Sequence, residues 1–408
     1  MPQRAVILSG SLGMGHDVVS DVLSASLAGL GWQARTLDCM ALLGPRAGRA
    51  GDWVFRRLMA RPGIFDGLHF AHLRTGSRLA TAMDHAATPR LVSALQGALA
   101  DDPADMIISV FAAGVPAAAE LAGSRPRLRT VVLCPDALPH ATWVREGIDL
   151  FLVTSAPGAA GVRRYAPRAR VAVVPPPVRP AFAHPPPRPA ARSSLGIPAD
   201  ARCVLLMGGG WGLGPVEGAA RALAAAGVHV LAVAGHNARL AARLEYLAVT
   251  SPLIHPYGFT SRIAELMSAS DLVVTLPGAL TCGEARAVGR RLMLVDAMPG
   301  HGRENLQHEL ELGGAGACNP RPPEIAASVL AALDRPGPAG PARPPGDWDQ
   351  AFAAAMASIG AGPEHQPGTA AGHPAASGDL AAADPAAANP AVICGHPHER
   401  STREVGYP

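Results

Sequence analysis

The sequence predicts an α/β protein of two domains, each a parallel sheet covered by helices on both faces. Three observations support this fold class. Short apolar runs typical of buried strands alternate with helical segments in the first half of the chain. A proline-rich stretch at 175–189 interrupts the pattern, and such stretches form stiff connectors. The alternation then resumes, so we expect one domain over residues 1–180 and a second over 181–335.

The individual elements follow from these runs. Strands are expected at short apolar runs, and helices where apolar residues recur at helical spacing. In the first domain the predicted strands are 5–8, 33–37, 106–110, 130–133, 150–154 and 171–174, and the first helix is 17–30. In the second domain they are 203–207, 228–233, 272–275 and 292–295, with a helix at 215–226. Residues 336–360 are a return segment with a predicted helix at 348–357, and the Ala-, Gly- and Pro-rich residues 361–408 are expected to be disordered.

Composition narrows the chemistry. The 35 Lys-plus-Arg residues are all arginines, which excludes a lysine Schiff base and a P-loop lysine. The net charge of +3 indicates no nucleic-acid partner. The six cysteines lack metal or redox spacing, so we expect a cytoplasmic protein with reduced thiols. A strand is predicted almost at the first residue and no apolar run reaches membrane-spanning length, so we expect no signal peptide and only peripheral membrane contact.

A glycine-rich turn, Ser9-Gly-Ser-Leu-Gly-Met-Gly-His16, joins the first strand to the first helix. Glycines let a backbone approach a ligand closely, and His16 can take a proton from a hydroxyl group. The spacing differs from the dinucleotide-binding Gly-x-Gly-x-x-Gly, but Asp38 ends the second strand roughly twenty residues on, where a NAD-binding acid would lie. The alternatives here are a nicotinamide-binding turn and a helix-capping role for His16.

Asp136, His140 and Trp143 follow the predicted strand at 130–133. They therefore lie at the carboxyl end of a strand, where open α/β sheets bind ligands. Asp136 is a candidate general base, or the group that orients His16 or His140. The spacing taken alone is a weak signal.

The stretch from Asp271 to Glu284 predicts a buried strand, a Pro-Gly turn that ends at Gly278, and a helix. Thr281 is expected near the helix start and Glu284 on its first turn. N–H groups at a helix start attract phosphate, and a carboxylate accepts hydrogen bonds from the two ribose hydroxyls. The turn therefore suits a nucleoside diphosphate. The alternative is an ordinary turn in which Thr281 and Glu284 form a capping box.

Further loops follow other strands of the second domain. The run 208–214 is rich in glycine, and its backbone amides can cradle a diphosphate. The loop 296–305 places several polar side chains after a strand. The candidate residues in these loops and in the turn at 257–260 are Gly209, Gly210, Phe259, His301, Glu304 and Asn305.

The segment 46–70 contains five arginines interspersed with large apolar residues. This mixture suits an anionic membrane surface. A surface helix that packs on its own domain is an equally good interpretation.

Taken in order, these loops resemble those of a family of UDP-sugar transferases, the monogalactosyldiacylglycerol synthases and their relatives, which include the lipid-linked N-acetylglucosamine transferase of peptidoglycan synthesis. The resemblance spans roughly residues 4–335. It implies the GT-B fold, in which two doubly wound Rossmann-like domains face a cleft. It also implies an inverting transfer of a hexose from a UDP-sugar to the hydroxyl of a lipid such as diacylglycerol, at the inner face of the cell membrane. The UDP-sugar is a donor substrate, and no metal or other cofactor is expected.

The resemblance also implies a role for each candidate. His16 and Asp136 are the catalytic candidates. The other acceptor-side residues are Gly13, Gly15, His140 and Trp143. In the second domain the diphosphate is assigned to Gly209, Gly210, Gly278 and Thr281, the ribose to Glu284, the uracil to Phe259, and the sugar to His301, Glu304 and Asn305.

The chain departs from the family pattern at visible places. Phe111 stands where relatives often carry a histidine, and Leu276-Pro-Gly-Ala279 stands where many have Lys-Pro-Gly-Gly. Pro299-Gly-His-Gly302 replaces a common Pro-Gly-Gln-Glu, so galactose, glucose and N-acetylglucosamine are not separated by the sequence. A UDP-sugar 2-epimerase of the same fold and a NAD(P)-binding oxidoreductase stay open as alternatives. The Asp-x-Asp at Asp347-Trp-Asp349 is interpreted as helix capping and solvated charge rather than a metal site.

Overall fold

The computed structural model describes residues 3–11, 14–59, 61–335 and 346–362, and these form two parallel six-stranded sheets. The first sheet has the order β2-β1-β3-β4-β5-β6, with β1 (Arg4–Ser9), β2 (Gln33–Asp38), β3 (Met106–Ser109), β4 (Arg129–Cys134), β5 (Leu150–Val153) and β6 (Val171–Val173). The second has the order β12-β11-β10-β7-β8-β9, with β7 (Cys203–Met207), β8 (His229–Val233), β9 (Ile254–Tyr257), β10 (Leu272–Thr275), β11 (Arg291–Val295) and β12 (Ala315–Cys318). The predicted α/β fold class is confirmed.

Helices cover both faces of each sheet. Those of the first domain are α1 (Met14–Gly29), α2 (Cys39–Leu42), α3 (Pro45–Met59), α4 (Pro62–Leu68), α5 (Arg78–Asp101), α6 (Gly114–Ser124) and α7 (Ala156–Tyr165), with a π-helical turn at His69–Leu73 and a 3₁₀ turn at Ala141–Trp143. Those that follow are α8 (Pro180–Ala183), α9 (Arg188–Leu195), α10 (Val216–Ala225), α11 (Ala238–Thr250), α12 (Ile263–Ala269), α13 (Ala279–Ala287), α14 (His301–Leu312), α15 (Pro322–Asp334) and α16 (Trp348–Ala357). Within the described ranges, none of them is long and apolar enough to cross a membrane.

The central strands are largely apolar because both faces of each sheet are buried, whereas the edge strand β2 is largely polar. In β1, alternate side chains point to opposite faces, so Val6 belongs to one hydrophobic cluster and Ile7 to another. The helix α16 returns to the first domain, where Trp348 and Phe352 join the cluster that holds Ile7. The chain thus crosses from the second sheet back to the first.

The strand order reverses once in each sheet, between β1 and β3 and between β7 and β10. Open parallel sheets bind ligands beside such a reversal, at the carboxyl ends of the strands. The loops that leave β1 and β7 are the two glycine-rich loops at 9–16 and 208–214, and the loop that leaves β10 is the turn before α13. The fold therefore gathers the predicted motifs at its two ligand-binding edges.

Some boundaries differ from the prediction. Helix α1 begins at Met14 rather than at residue 17, so His16 lies on the first turn of a helix. Two strands were not predicted. Both are sheet edges: β9 contains Pro256, which an edge strand tolerates, and β12 consists of Ala, Gly and Cys, which give little strand signal. The predicted tail at 361–408 lies almost wholly outside the described residues, as does most of the return segment before α16.

Candidate active site

The side chain of His16 is held in one orientation and one tautomer. Its Nδ1 lies 2.7 Å from the carbonyl oxygen of Val110. Because a carbonyl can only accept, Nδ1 must carry the proton, and Nε2 of the neutral ring keeps its lone pair. Burial lowers the pKa of His16 from its ordinary value of 6.5, and Asp136 opposes this shift only in part. The imidazole is therefore neutral at pH 7 and suited to accept a proton.

Phe111 supports this histidine, although sequence analysis assigned no role to Phe111. The rings of Phe111 and His16 pack edge to face, with centroids 5.2 Å apart. A Cβ atom at Gly10 would lie 2.6 Å from the Phe111 ring, so the glycine-rich loop needs glycine at that position. Gly13 lies outside the described residues.

Asp136 lies after β4 and is bound by a residue of the second domain. The Nδ2 of Asn305 donates to its Oδ1 at 3.1 Å, and the Oδ1 of Asn305 accepts from the backbone N–H of Ala137 at 2.9 Å. Burial alone would raise the pKa of Asp136, but His301, Asn305 and His16 together hold it below its ordinary value. Asp136 is thus an anion that interacts electrostatically with His16.

His140 and Trp143 play more structural parts than the sequence suggested. His140 bonds through Nδ1 to the Thr142 hydroxyl at 2.7 Å, and burial, with the nearby His69, lowers its pKa to about 3. Trp143 is only 3% exposed and packs in the first-domain core. The Trp143 side chain therefore fixes the loop that carries Asp136 rather than lining the cleft.

The helix that carries Thr281 and Glu284 starts earlier than expected. Its N-cap is Gly278, whose φ and ψ are −84° and 124°, so Thr281 is the third helical residue. Glu284 is the sixth and lies on the second turn, which corrects the first-turn placement. The capping-box alternative is wrong, since no side chain caps this helix. The N–H groups of the first turn are therefore left to water or a ligand.

This helix start faces the glycine-rich loop of the first domain. A Cβ atom at Gly15 would lie 3.5 Å from a methyl group of Leu280, the second residue of α13. Leu280 also packs against the first-domain core. The predicted diphosphate site and the candidate base His16, one residue after Gly15, are thus on opposite walls of one cleft.

Glu284 is buried and paired with an arginine from the connector between the sheets. Its Oε1 lies 2.7 Å from Nε of Arg179, and Glu284 is 4% exposed. Burial raises the pKa of Glu284, and the Arg179 guanidinium opposes that rise. Arg179 in turn lies over the Phe182 ring, 4.7 Å from its centroid. The carboxylate is therefore oriented before any nucleotide binds, and the sequence had not indicated Arg179.

The glycine-rich loop after β7 is folded tightly on itself. Gly209 has a φ of +68°, and a Cβ atom at Gly212 would lie 2.2 Å from the Ala234 carbonyl oxygen. Among the described residues, the backbone N–H groups of Gly209 and Gly210 donate no hydrogen bond to a carbonyl oxygen of a turn or loop. The carbonyl oxygen of Gly210 accepts from the N–H of His236 at 2.8 Å.

Phe259 projects from the end of β9 and is 61% exposed. Its ring stacks on His236, with centroids 4.0 Å apart and an angle of 19° between the planes. The pair forms an exposed aromatic face beside the glycine-rich loop, as a site for a uracil ring requires. His236 follows β8 inside a Gly-His-Asn turn, a polar signal that sequence analysis passed over.

The residues predicted to bind the sugar are held by the first domain. The two carboxylate oxygens of Glu304 lie 3.1 Å from Nε of Arg74 and 3.1 Å from Nε2 of His69. The rings of His301 and His69 have centroids 6.4 Å apart. The structure thus brings His301, Glu304 and Asn305 together with His16 and Asp136 of the first domain, and it adds His69 and Arg74, which sequence analysis missed. Gly210 and Phe259 both contact His236 in the second domain.

The Asp-x-Asp at the start of α16 lies on the first domain. Asp347 caps this helix by accepting from the Gln350 N–H at 3.0 Å, and Asp349 accepts from the Ser26 hydroxyl at 2.6 Å. In the described part of the chain, no group of three or more His, Cys, Asp and Glu side chains could hold a metal ion.

Comparison with known proteins matches part of the second domain to a glycosyltransferase family. Residues 215–320 match the glycosyltransferase family 28 C-terminal domain. The match includes the candidates from Phe259 to Asn305, and it confirms the resemblance on which their roles were based.

Two relatives that match larger parts of the chain carry glycolipid-synthase or glycosyltransferase names. A probable chloroplastic monogalactosyldiacylglycerol synthase of Glycine max is 27% identical over 80% of this chain, and the chain spans 64% of that protein, just under two thirds. A processive diacylglycerol beta-glucosyltransferase of Bacillus pumilus is 31% identical over 44% of this chain and 48% of its own length.

Solved structures show that the two domains together form a GT-B fold; the family 28 match lies within the second of them. MurG of Acinetobacter baumannii superposes with a TM-score of 0.53 at 14% identity, over 82% of this chain and 91% of that one. A UDP-N-acetylglucosamine 2-epimerase gives 0.52 at 12% identity, over 88% and 97%. The fold alone therefore does not separate a transferase from an epimerase.

Proposed function

We propose that the protein is an inverting glycosyltransferase that moves a hexose from a UDP-sugar to a hydroxyl of a diacylglycerol-like lipid. The observation that carries the proposal is that two sets of functional groups face each other across the cleft. An uncapped helix start followed by a buried glutamate faces a neutral histidine with an available Nε2. The acceptor class is taken from the names of the sequence relatives, a probable monogalactosyldiacylglycerol synthase and a processive diacylglycerol beta-glucosyltransferase.

The chemistry follows from these positions. The acceptor hydroxyl gives its proton to Nε2 of His16 as its oxygen bonds to the anomeric carbon. The bond from that carbon to the β-phosphate oxygen breaks, and its electron pair leaves with UDP. The amides at the start of α13 and at Gly209 and Gly210 stabilise the added charge on the diphosphate. Asp136 stabilises the imidazolium that forms. We propose that this requires no metal ion.

A ligand screen tests this function. UDP and at least one of UDP-glucose, UDP-galactose and UDP-N-acetylglucosamine are expected to raise the melting temperature, because a ligand that binds only the folded state stabilises it. Transfer of the hexose to diacylglycerol in mixed micelles is the activity readout. Stabilisation by NAD alone would overturn the proposal, and conversion of the UDP-sugar to its 2-epimer without a lipid would replace it by the epimerase.

We also propose that the protein works at an anionic membrane surface. The surface that would bind consists of exposed apolar and basic residues of α3, α4 and their neighbours: Trp53, Val54, Ile64 and Phe70 with Arg46, Arg49, Arg57 and Arg61. Trp53 is 64% exposed and Ile64 54%, which is unusual for such large side chains in a water-facing position. Arginines around apolar side chains suit anionic head groups.

Flotation with vesicles tests this surface. The protein is expected to bind phosphatidylcholine vesicles that contain phosphatidylglycerol, and to be released by salt. The variant W53S should weaken binding by roughly tenfold or more, because a buried aromatic side chain contributes about 1.5–3 kcal/mol. The matched control is V249S, which removes an 84% exposed residue of the second domain. Equal binding by W53S and V249S would contradict the assignment.

A further inference from the structure

The segment predicted as a hexose-binding loop, here residues 299–305 (the sugar loop), is in fact a short turn followed by the start of α14. It rests on one short part of the first domain. This part, residues 62–74 (the clamp segment), comprises α4 and the π-helical turn. It lies more than 200 residues before the sugar loop in the chain, as the contact from Asp66 to Gly300 shows with a separation of 234. The two are joined by hydrogen bonds, ion pairs and close packing.

Asp66 holds the beginning of the sugar loop. Its Oδ1 accepts from the backbone N–H of Gly300 at 2.7 Å, and its Oδ2 lies 3.1 Å from Nε of Arg303. Gly300 has a φ of +64°, and a Cβ atom there would lie 2.5 Å from the Phe65 ring. The loop backbone therefore adopts a conformation reserved for glycine and is pressed directly against the clamp segment.

Arg74 and His69 hold the end of the sugar loop through Glu304. Both carboxylate oxygens of Glu304 are engaged, one by each side chain, and His69 is 1% exposed. The Arg74–Glu304 ion pair, with side chains 21% and 10% exposed, fixes the direction of the carboxylate, because removing the arginine leaves a largely buried charge without its cationic partner. The orientation of Glu304 is thus set by the first domain and not by its own helix.

Arg74 also connects the sugar loop to the acceptor side. Its Nη1 donates to the Pro139 carbonyl oxygen at 2.9 Å, in the loop between Asp136 and His140. Its own carbonyl oxygen accepts from the Tyr165 hydroxyl. One arginine therefore contacts both the loop that carries Asp136 and the loop assigned to the hexose.

The contacts assigned to UDP come from other parts of the chain than the clamp segment. Gly209, Gly210 and the start of α13 belong to the second domain, and Glu284 is paired with the connector residue Arg179. None of these contacts involves the clamp segment. The nucleotide half and the hexose half of the donor site are therefore supported by separate parts of the molecule.

We infer that Asp66, His69 and Arg74 are positioning residues that shape the hexose subsite from the acceptor domain, and that they set which UDP-hexose is used. The inference rests on the proposed transferase function. Loss of a clamp contact should leave the binding of UDP unchanged and impair the binding and transfer of the hexose. It should also change the ratio of activities with UDP-glucose and UDP-galactose, because the Glu304 carboxylate is no longer fixed.

The test uses D66N and R74Q in the full chain, with R78Q as the matched control. Arg78 is an exposed arginine four residues after Arg74, outside the clamp segment. Calorimetry gives the Kd of UDP and of each UDP-hexose, and steady-state kinetics give KM, kcat and the donor ratio. D66N keeps the shape of the side chain, so it remains informative if R74Q fails to fold.

For D66N and R74Q we expect a UDP Kd within about twofold of the wild type and a UDP-hexose KM raised roughly tenfold or more, since small displacements at a reacting centre have large effects. The donor ratio should move in both variants and stay constant in R78Q. An unchanged UDP-hexose KM and donor ratio would overturn the inference, as would equal losses for UDP and UDP-hexose. If the wild type itself fails to bind UDP, the proposed function fails instead, so the two failures are distinguishable.

Discussion

Replacement of His16 by alanine is expected to lower kcat for hexose transfer by about 10²–10⁴-fold, the usual contribution of a general base. The reason is structural. Nδ1 is committed to the Val110 carbonyl oxygen, so the available Nε2 is the ring atom that can accept the proton of the acceptor. The Kd of UDP should stay unchanged, because its predicted contacts lie in the other domain. Kinetics with a lipid acceptor and calorimetry with UDP measure the two quantities.

Two variants make this result specific. H85A removes an exposed histidine of α5 and should behave as the wild type. D136N should cost less than H16A, since Asp136 acts on His16 electrostatically while its own carboxylate is bound by Asn305. A D136N variant that loses most of its kcat, while H16A retains most of its own, would assign the base to Asp136 instead.

The pH dependence of kcat follows from the same histidine. A general base must be deprotonated, and burial holds the pKa of His16 below its ordinary value of 6.5. Activity should therefore persist as the pH falls from 7 through 6.5, and decline only when it reaches the lowered pKa. An acid limb of the kcat profile centred at or above 6.5 would show that another group, or a more solvated His16, carries the proton.

The site could be located from the sequence because a parallel α/β fold places the loops that follow its strands at predictable edges. Parallel strands of one sheet end at a common edge, so the loops after β1 and β4 share one edge and those after β7, β10 and β11 share the other, without any knowledge of distances. Apolar runs of Val, Ile and Leu marked those strands reliably. This is why the positions of His16, Asp136 and Glu284 made them candidates, and the family resemblance then suggested their roles.

The sequence could not reveal what holds these side chains. Arg74 and Asp66 meet Glu304 and Gly300 across more than 200 residues, and no periodicity relates such positions. Arg179 was part of a proline-rich connector, whose composition predicts stiffness but no partner for a buried carboxylate. For Trp143 the error was the reverse, because sequence analysis assigned a site role to a side chain that lies in the core. A large aromatic residue after a strand is compatible with either position.

The start of α13 shows why a local motif was ambiguous. Thr-x-x-Glu is compatible with a capping box and with a nucleotide-binding turn, and both put a carboxylate near a helix start. Only the observed first residue, Ala279, separates them, because it places Thr281 inside the helix. Local sequence determines element boundaries poorly, yet here the boundary of α13 separates the capping-box interpretation from the nucleotide-binding one.

Replacement of Glu284 by glutamine is expected to weaken UDP binding roughly 10- to 150-fold, which corresponds to about 1.5–3 kcal/mol for hydrogen bonds to a charged group. A glutamine has the same shape but presents one weaker acceptor to the ribose hydroxyls and cannot pair with Arg179. The ligand can be varied as well as the protein. Uridine diphosphate without the 2′ and 3′ hydroxyls should bind the wild type and E284Q with similar, low affinity. Calorimetry with both ligands and both proteins completes the cycle.

Substitution of Arg179 tests the ion pair with Glu284 independently of the ribose contact. Burial raises the pKa of Glu284 and Arg179 opposes the rise, so R179Q should raise that pKa further. The ionised carboxylate is the form that binds, so UDP affinity should fall as the pH drops through the raised pKa, and in R179Q this loss should begin at a higher pH. Affinity for UDP that is the same in E284Q as in the wild type at every pH would show that Glu284 only anchors α13 to the connector. Affinity that depends on Arg179 but not on the ribose hydroxyls would lead to the same conclusion.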